Sequence, residues 1–258
     1  MNDSQWTLLT NLIHNYSDAQ SLSISETIKY ENDSFGFINQ STLQSLLTSF
    51  YETAGQSLRL NDDIAHLQFD DRSILLHTAV ANVTCASGQL IYYHSHLINY
   101  DLYWKCLESI YGKVSGYYRQ LSSKFAQSDM VVWKLSIALF ALSTNTRIFC
   151  RNIQGEYRDI HQILKIQDKY AELSWKYLLY KYDHREAMKR YIRMIEWFLS
   201  LTSIMQYACN VDVYVNDVES LVEQTEMALI LDDVDRVVNE GISSTKTSEL
   251  ISSMDLEM

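Results

Sequence analysis

The stretch IQDKYAELSWKYLLYKYDHREAMKRYIRMI (166–195) governs how the rest of the chain is read. It belongs to two helical patterns, at about 154–182 and 184–208, joined by YDHR (182–185) with almost no loop. So short a connection reverses the chain at once, which makes the two helices antiparallel neighbours.

The chain around this pair is composed for helices. Its 258 residues are 47% apolar and contain no proline. Average usage would place about 13 prolines in a chain of this length, and each would interrupt a helix or a central strand. Their absence predicts long helices and disfavours a sandwich or barrel. Size alone allows one large domain or two small ones.

Upstream, residues 4–16 and about 22–31 read as short helices, with NDSFGF (32–37) as a loop after them. Leu43, Leu46, Leu47, Phe50, Ala54 and Leu58 then lay one apolar stripe along a helix that is expected to end between Leu60 and Asp63. Ile74, Leu75, Leu76, Val80 and Val83 form a run that is apolar nearly all round, which predicts a central buried helix at 72–86. Asp70 and Asp71 suit its N-terminus, where carboxylates oppose the positive end of the helix dipole. SGQLIYYHSHL (87–97) contains Gly88 and β-favouring aromatics, so at most one short β-hairpin is expected near 88–98. Helices resume at 100–124 and 129–143. The expected class is all-α.

From about residue 38 to 208 this order of helices resembles the nuclear receptor ligand-binding domain, a three-layer antiparallel α-helical sandwich. Ser57-Leu58-Arg59, Ile64, Leu67 and Asp71-Arg72-Ser73-Ile74-Leu75-Leu76-His77 stand where that family has its signature, with Asp71 twelve residues after Arg59 as in the family. Asp62-Asp63 replaces the usual Pro-Gly turn, Arg72 the Gln and His77 the second Lys. WKLSIALFALST (133–144) resembles the family's eighth helix, followed by Asn145-Thr146 instead of Asp-Arg. The opening stretch is similar to the ninth and tenth helices. The resemblance implies one receptor-like domain over 1–208, an acidic segment at 209–240 with a degenerate activation helix, and a disordered Ser/Thr-rich tail at 241–258.

It also implies sites. Arg59, Leu67, Arg72, Leu76 and His77 would line a groove for coregulator helices bearing LxxLL, with Arg59 bonding the carbonyls at the partner helix's C-terminus. Leu46, Ser49, Phe50, Thr53, Val80, Thr84, Tyr92, Met205 and Cys209 would line a cavity for a small lipophilic molecule, unless bulky side chains fill that space. Arg190, Tyr191, Met194, Trp197 and Phe198 would form an interface with a second copy or another nuclear receptor. The opposing Glu of an activation helix finds no clean match: Glu226 and Glu249 both lack the apolar pair before them.

Other readings carry less. LQSLL (43–47) is itself an LxxLL string, but its leucines belong to the core stripe. HSH (94–96) would pair two imidazoles on one side of a strand, with no third ligand nearby in sequence. Cys85, Cys106, Cys150 and Cys209 are scattered, so neither a disulfide framework nor the zinc module of the resembled family is expected. The N-terminus lacks the build of a signal peptide and no run of ~18 uncharged apolar residues occurs, which predicts a soluble protein. No metal or organic cofactor is expected.

Three function classes remain. The first is a transcription regulator in the nucleus, or shuttling with the cytoplasm, that acts through ligand, coregulators or a second receptor. The second is a ligand-independent helical adaptor with a filled pocket. The third is a helical enzyme, and it is disfavoured: neither Asp62-Asp63 nor Asp232-Asp233 continues into DDxxD, and no GxSxG, P-loop, HExxH or dinucleotide fingerprint occurs.

The 32 acidic residues exceed the 21 basic ones, which argues against direct contact with nucleic acid. That excess is local. Residues 209–258 carry 12 acidic side chains against Arg236 and Lys246, so the receptor-like part is close to neutral.

Overall fold

Every regular element among the described residues is helical. The computed structural model describes residues 1–125, 129–145, 155–211 and 220, apart from the side chains of Ala81 and Thr84. These residues all fall within one unit, Met1–Val222. Among the described residues there are ten α-helices: α1 (Asp3–Asn15), α2 (Ala19–Phe35), α3 (Gln40–Arg59), α4 (Asp62–Ala65), α5 (Phe69–His94), α6 (Asp101–Tyr111), α7 (Lys113–Lys124), α8 (Met130–Ala141), α9 (Ile160–Lys181) and α10 (His184–Ala208). A 3-10 turn at Leu97–Asn99 follows α5. Residues 212–219 and 221–258, which hold the expected activation segment and tail, lie outside the described residues.

With no proline to open helices, Asn and Asp side chains do so. Asn2, Asn39, Asn61, Asp129, Asp159 and Asp183 each accept a backbone N–H from the first turn of the helix that follows.

The central helix is longer than expected, and the hairpin at 88–98 is replaced by its last turns. The reason lies at Gly88, where a Cβ would stand 3.2 Å from Phe50 Cε2 and 3.3 Å from Phe50 Cδ2. Glycine is there to admit the Phe50 ring against the helix, not to make a turn. The chain leaves the helix at His96, which has φ 61.

Other boundaries also differ from expectation. The helix expected over 100–124 breaks at Gly112 (φ 61, ψ −143) into α6 and α7. The helix expected from 154 begins at Ile160. α2 runs through the expected loop to Phe35, where left-handed Gly36 donates its N–H to the Asn32 carbonyl.

α5 is the core element, packed against α3 on one side and α8 on another, with α7, α10 and α2 also touching it. Ile74, Leu75, Leu76, Val80 and Val83 are all buried, as the all-round apolar pattern predicts. In α3 the stripe residues Leu43, Leu46, Phe50, Ala54 and Leu58 face this core, so the LQSLL string is structural.

Two polar clusters set the positions of the outer helices. The buried Asp129 carboxylate, at the start of α8, accepts from the Tyr182 hydroxyl at 2.8 Å, both oxygens from Tyr177 at 3.2 Å, and pairs with Lys181 Nζ at 2.9 Å. It fixes the end of α9 and the turn into α10, where only Tyr182 and Asp183 separate the two helices. Lys134, on α8, donates from Nζ to the carbonyls of Ile13 and Tyr16, each at 3.0 Å, and so caps the C-terminal end of α1. Asn15 adds a hydrogen bond to the Leu60 carbonyl at 2.6 Å.

Candidate functional site

The expected coregulator groove falls where α3 ends and α5 begins. Arg59 is half-buried on the last turn of α3, and Leu60 after it is exposed. Asn61 then opens the four-residue α4, accepting from Ile64 N at 3.2 Å and donating to the Tyr170 hydroxyl at 2.7 Å. Burial, then the nearby Asp63 charge, pushes the Tyr170 phenol up. Asp63 pairs with Lys169 at 2.8 Å. Asp62-Asp63 thus make an acidic first turn of a short helix in place of a Pro-Gly turn, an arrangement favoured by the helix dipole.

Arg72 behaves as a local cap. Its Nη1 donates to the Ala65 carbonyl at 3.2 Å, closing α4, and its guanidinium lies 5.9 Å from the centre of the Phe69 ring. The structure therefore brings together Arg72, Ala65 and Phe69. Leu67 and Leu76 are buried at 5% and 7% exposure, so they belong to the core; the apolar side chains in the open here are Leu60 and Phe69, at 59% and 66%. Sequence reasoning missed those two. His77 is half-buried.

Asp71 has a role that its place in the signature did not reveal. It is fully buried, and its Oδ1 and Oδ2 accept from the backbone N–H groups of Arg158 at 2.6 Å and Asp159 at 2.9 Å. Asp159 caps α9. The adjacent Asp70 pairs with the Arg158 side chain. The first turn of α5 is thereby bonded to the entry of α9.

Of the residues expected around a lipophilic ligand, Leu46, Phe50 and Tyr92 belong to one packed cluster. Leu46, Ser49, Phe50, Thr53, Val80, Tyr92 and Met205 are buried. Phe50 meets Tyr92 edge-on with ring centres 5.6 Å apart, and Tyr92 lies 5.0 Å from Trp104 and 5.7 Å from Tyr103. The Ser49 hydroxyl is bonded to Ser21 Oγ at 2.8 Å. Burial drives the phenols of Tyr92 and Tyr103 up, so both stay neutral. Trp104 Nε1 is buried with no hydrogen-bond partner among the described residues. Cys209 is half-buried at the end of α10, its thiol on the Gln206 carbonyl, and the Thr84 side chain lies outside the described residues. His94 and His96 share no strand: His94 ends α5 and lies 3.1 Å from Asp18, while His96 is the left-handed residue beyond it.

The residues expected at a dimer interface divide. Met194 and Trp197 are core, since Trp197 Nε1 donates to Gln89 Oε1 at 2.7 Å and its ring lies 5.2 Å from Trp133. They cannot meet a second copy without unfolding this packing. Phe198 stacks on Phe140 at 5.8 Å and Tyr191 meets Trp175 at 5.6 Å. Arg190 bonds Glu186 at 2.9 Å and lies 4.1 Å from the Tyr182 ring centre. A cleft of about 40 Å³ lies beside them, lined by Phe125, Trp133, Arg190 and Arg193 among others, with room for a few waters. The side of α10 turned away from the core carries Met188, Ile192, Ile195 and Leu199, all exposed.

Comparison with known protein families and with curated proteins finds no match. Among the described residues no helix alone is long and apolar enough to cross a membrane, and no group of three or more His, Cys, Asp or Glu side chains could hold a metal ion.

Proposed function

We propose that the protein is a nuclear-receptor-like regulator that works by binding other proteins, and that its core is closed by its own side chains so that no ligand is needed. On this reading it is not an enzyme, its architecture is the receptor-type three-layer helical sandwich, and it acts in the nucleus. The observation that carries the ligand-independent form is the ring contact of Phe50 and Tyr92, two of the candidate ligand residues, with each other and of Tyr92 with Tyr103 and Trp104. Rings in edge-on contact at ordinary spacing fill a core as densely as an organic crystal. Support for the receptor-like part comes from the signature residues Arg59, Ile64, Leu67 and Asp71 to His77, which run from the end of α3 through α4 into the first turns of α5.

Partner binding is supported by Leu60 and Phe69, exposed apolar side chains next to the cationic Arg59 and Arg72. A cation beside apolar side chains matches an amphipathic helix whose C-terminal carbonyls carry partial negative charge. The test is a fluorescence anisotropy titration with a labelled LxxLL helix. Saturable binding that Arg59→Ala and Phe69→Ala weaken roughly tenfold is the expected result; no binding, or binding insensitive to both, overturns this mode.

The unpartnered Trp104 Nε1 favours a second reading, in which a lipophilic molecule with a polar group enters this cluster. Native mass spectrometry of protein purified from its own cells separates the two. An empty, stable protein supports the closed core, and a retained small molecule overturns it.

A further inference from the structure

We propose that three aromatic rings at the end of α2 form a docking surface for an extended, arginine-bearing segment of another protein. Tyr30, Phe35 and Phe37 are 62%, 58% and 57% exposed. They also touch: the Phe35 ring centre lies 5.8 Å from that of Tyr30, with the planes at 90°, and 5.8 Å from that of Phe37, with the planes at 35°. Single exposed apolar side chains are ordinary on a protein surface, but three rings in contact make a patch. The backbone beneath them is fixed. Gly36, with φ 66, ends α2, and the Glu31 carboxylate accepts from the Asn39 N–H at 2.9 Å and the Thr42 hydroxyl at 2.8 Å, tying the end of α2 to the start of α3. Ile28 is fully buried, and Ile24 and Ile38 pack on the same core cluster. This stretch therefore meets the needs of the fold with its isoleucines and leaves the rings outside.

The charges beside the rings select the occupant. From Glu26 to Gln44 the chain carries three carboxylates, Glu26, Glu31 and Asp33, and one cation, Lys29, which is paired with Glu26 at 2.6 Å. Asp33 is exposed, one helical turn after Tyr30, and the hydrogen bond it accepts comes from the neutral Asn32 amide at 2.7 Å. Its charge is left for a partner. Aromatic faces attract cations through the ring quadrupole, and guanidinium is the cation that both lies flat on a ring and donates to a carboxylate. Neighbouring rings 5.8 Å apart come close to the roughly 6.6 Å between alternate side chains of an extended chain, so arginines at every second position reach successive rings. The same carboxylates repel phosphate, which turns the patch away from nucleic acid and from anionic membrane surfaces.

Arg59, Leu60, Phe69 and Arg72 lie where α3 ends and α5 begins, so this second surface stands or falls without the receptor-like reading. Fluorescence anisotropy of the full chain with a labelled nonapeptide of alternating Arg and Gly tests it. Saturable binding is the expected result, weakened at least roughly tenfold when citrulline, neutral and nearly the same shape, replaces each Arg. Tyr30→Ala and Phe37→Ala should each weaken binding roughly two- to fivefold, and the two together roughly tenfold. Asp33→Asn should weaken it roughly two- to threefold, and Asp33→Lys more. Far-UV circular dichroism of these variants should be unchanged, since all three side chains are exposed. The acidic residues at 209–258 attract the same peptide by charge alone, a route indifferent to the rings. No binding, equal binding of the citrulline peptide, or an affinity that Tyr30→Ala and Phe37→Ala together leave unchanged overturns the proposal. The last of these would assign the peptide to the acidic residues.

Discussion

Asp71 holds Asp159 by its backbone: the carboxylate on the first turn of α5 accepts the N–H of the residue that caps α9, at 2.9 Å, and the N–H of Arg158 at 2.6 Å. Both helix starts depend on one buried side chain. Replacing Asp71 by Ala leaves two backbone donors, both in part-buried bonds, without their acceptor, at up to about 1–3 kcal/mol each. A loss of about 3 kcal/mol should lower the melting temperature by roughly 6–12 °C for a domain of this size, read by differential scanning calorimetry. Asp71→Asn keeps one acceptor and should fall between.

Gly88 and Phe50 form a coupled pair. Ala at position 88 would gain about 1 kcal/mol of helix propensity, but its Cβ would press a buried ring at 3.2 Å. Overpacking of this kind costs about 1–3 kcal/mol, so Gly88→Ala should be mildly destabilising in urea unfolding. Combined with Phe50→Leu, which removes the ring edge, Gly88→Ala should cost less than it does alone. Strict additivity of the two changes would contradict the close approach.

The closed core predicts what opening it would do. Tyr92→Ala removes a ring that touches Phe50, Tyr103 and Trp104, and should cost about 3–5 kcal/mol. The variant should take up benzene, seen as a benzene-dependent rise in melting temperature, while the parent protein should not.

Acid should act through Asp129. Burial raises its pKa, but the hydrogen bonds from Lys181 and Tyr182 outweigh that and hold the carboxyl below the usual carboxylate range. A folded pKa below the unfolded value of about 3.9 gives stability that is present above that value and lost as pH falls through the folded one. Asp129→Asn should therefore melt lower than the parent at pH 7, and the gap should shrink as the pH is taken below 4. A gap that stays constant would mean that the cluster does not act through charge.

Much of the architecture could be read in advance, because it is written in local periodicity. The stripe from Leu43 to Leu58 and the run from Ile74 to Val83 are buried as expected, and the tight α9–α10 turn follows from the near absence of residues between two helical patterns. The errors share a cause. Gly88 reads as a breaker locally, and only Phe50, far away in sequence, shows why a glycine is tolerated inside a helix. Gly112 is the converse, a real break inside a continuous pattern.

The candidate site was harder to read for the same reason. Leu67 and Leu76 match a signature, but whether they are covered depends on helices remote in sequence. Trp197 and Ile192 are five residues apart, and both are apolar on one amphipathic helix. Only the position of Trp133 and Gln89 decides that the first is core and the second is surface.

Lys134 gives the N-terminal helix an existence of its own. Leu9 is the sole buried side chain of α1, and one half-buried ammonium holds the helix's final carbonyls. Burial lowers the pKa of that lysine, so its grip sits closer to neutralisation than a surface lysine's would. With so little of it buried, α1 should open before α3, α5 and α8 do. Its amides should exchange with deuterium well before those of α5, and Lys134→Gln should speed that exchange without lowering the protection of the core.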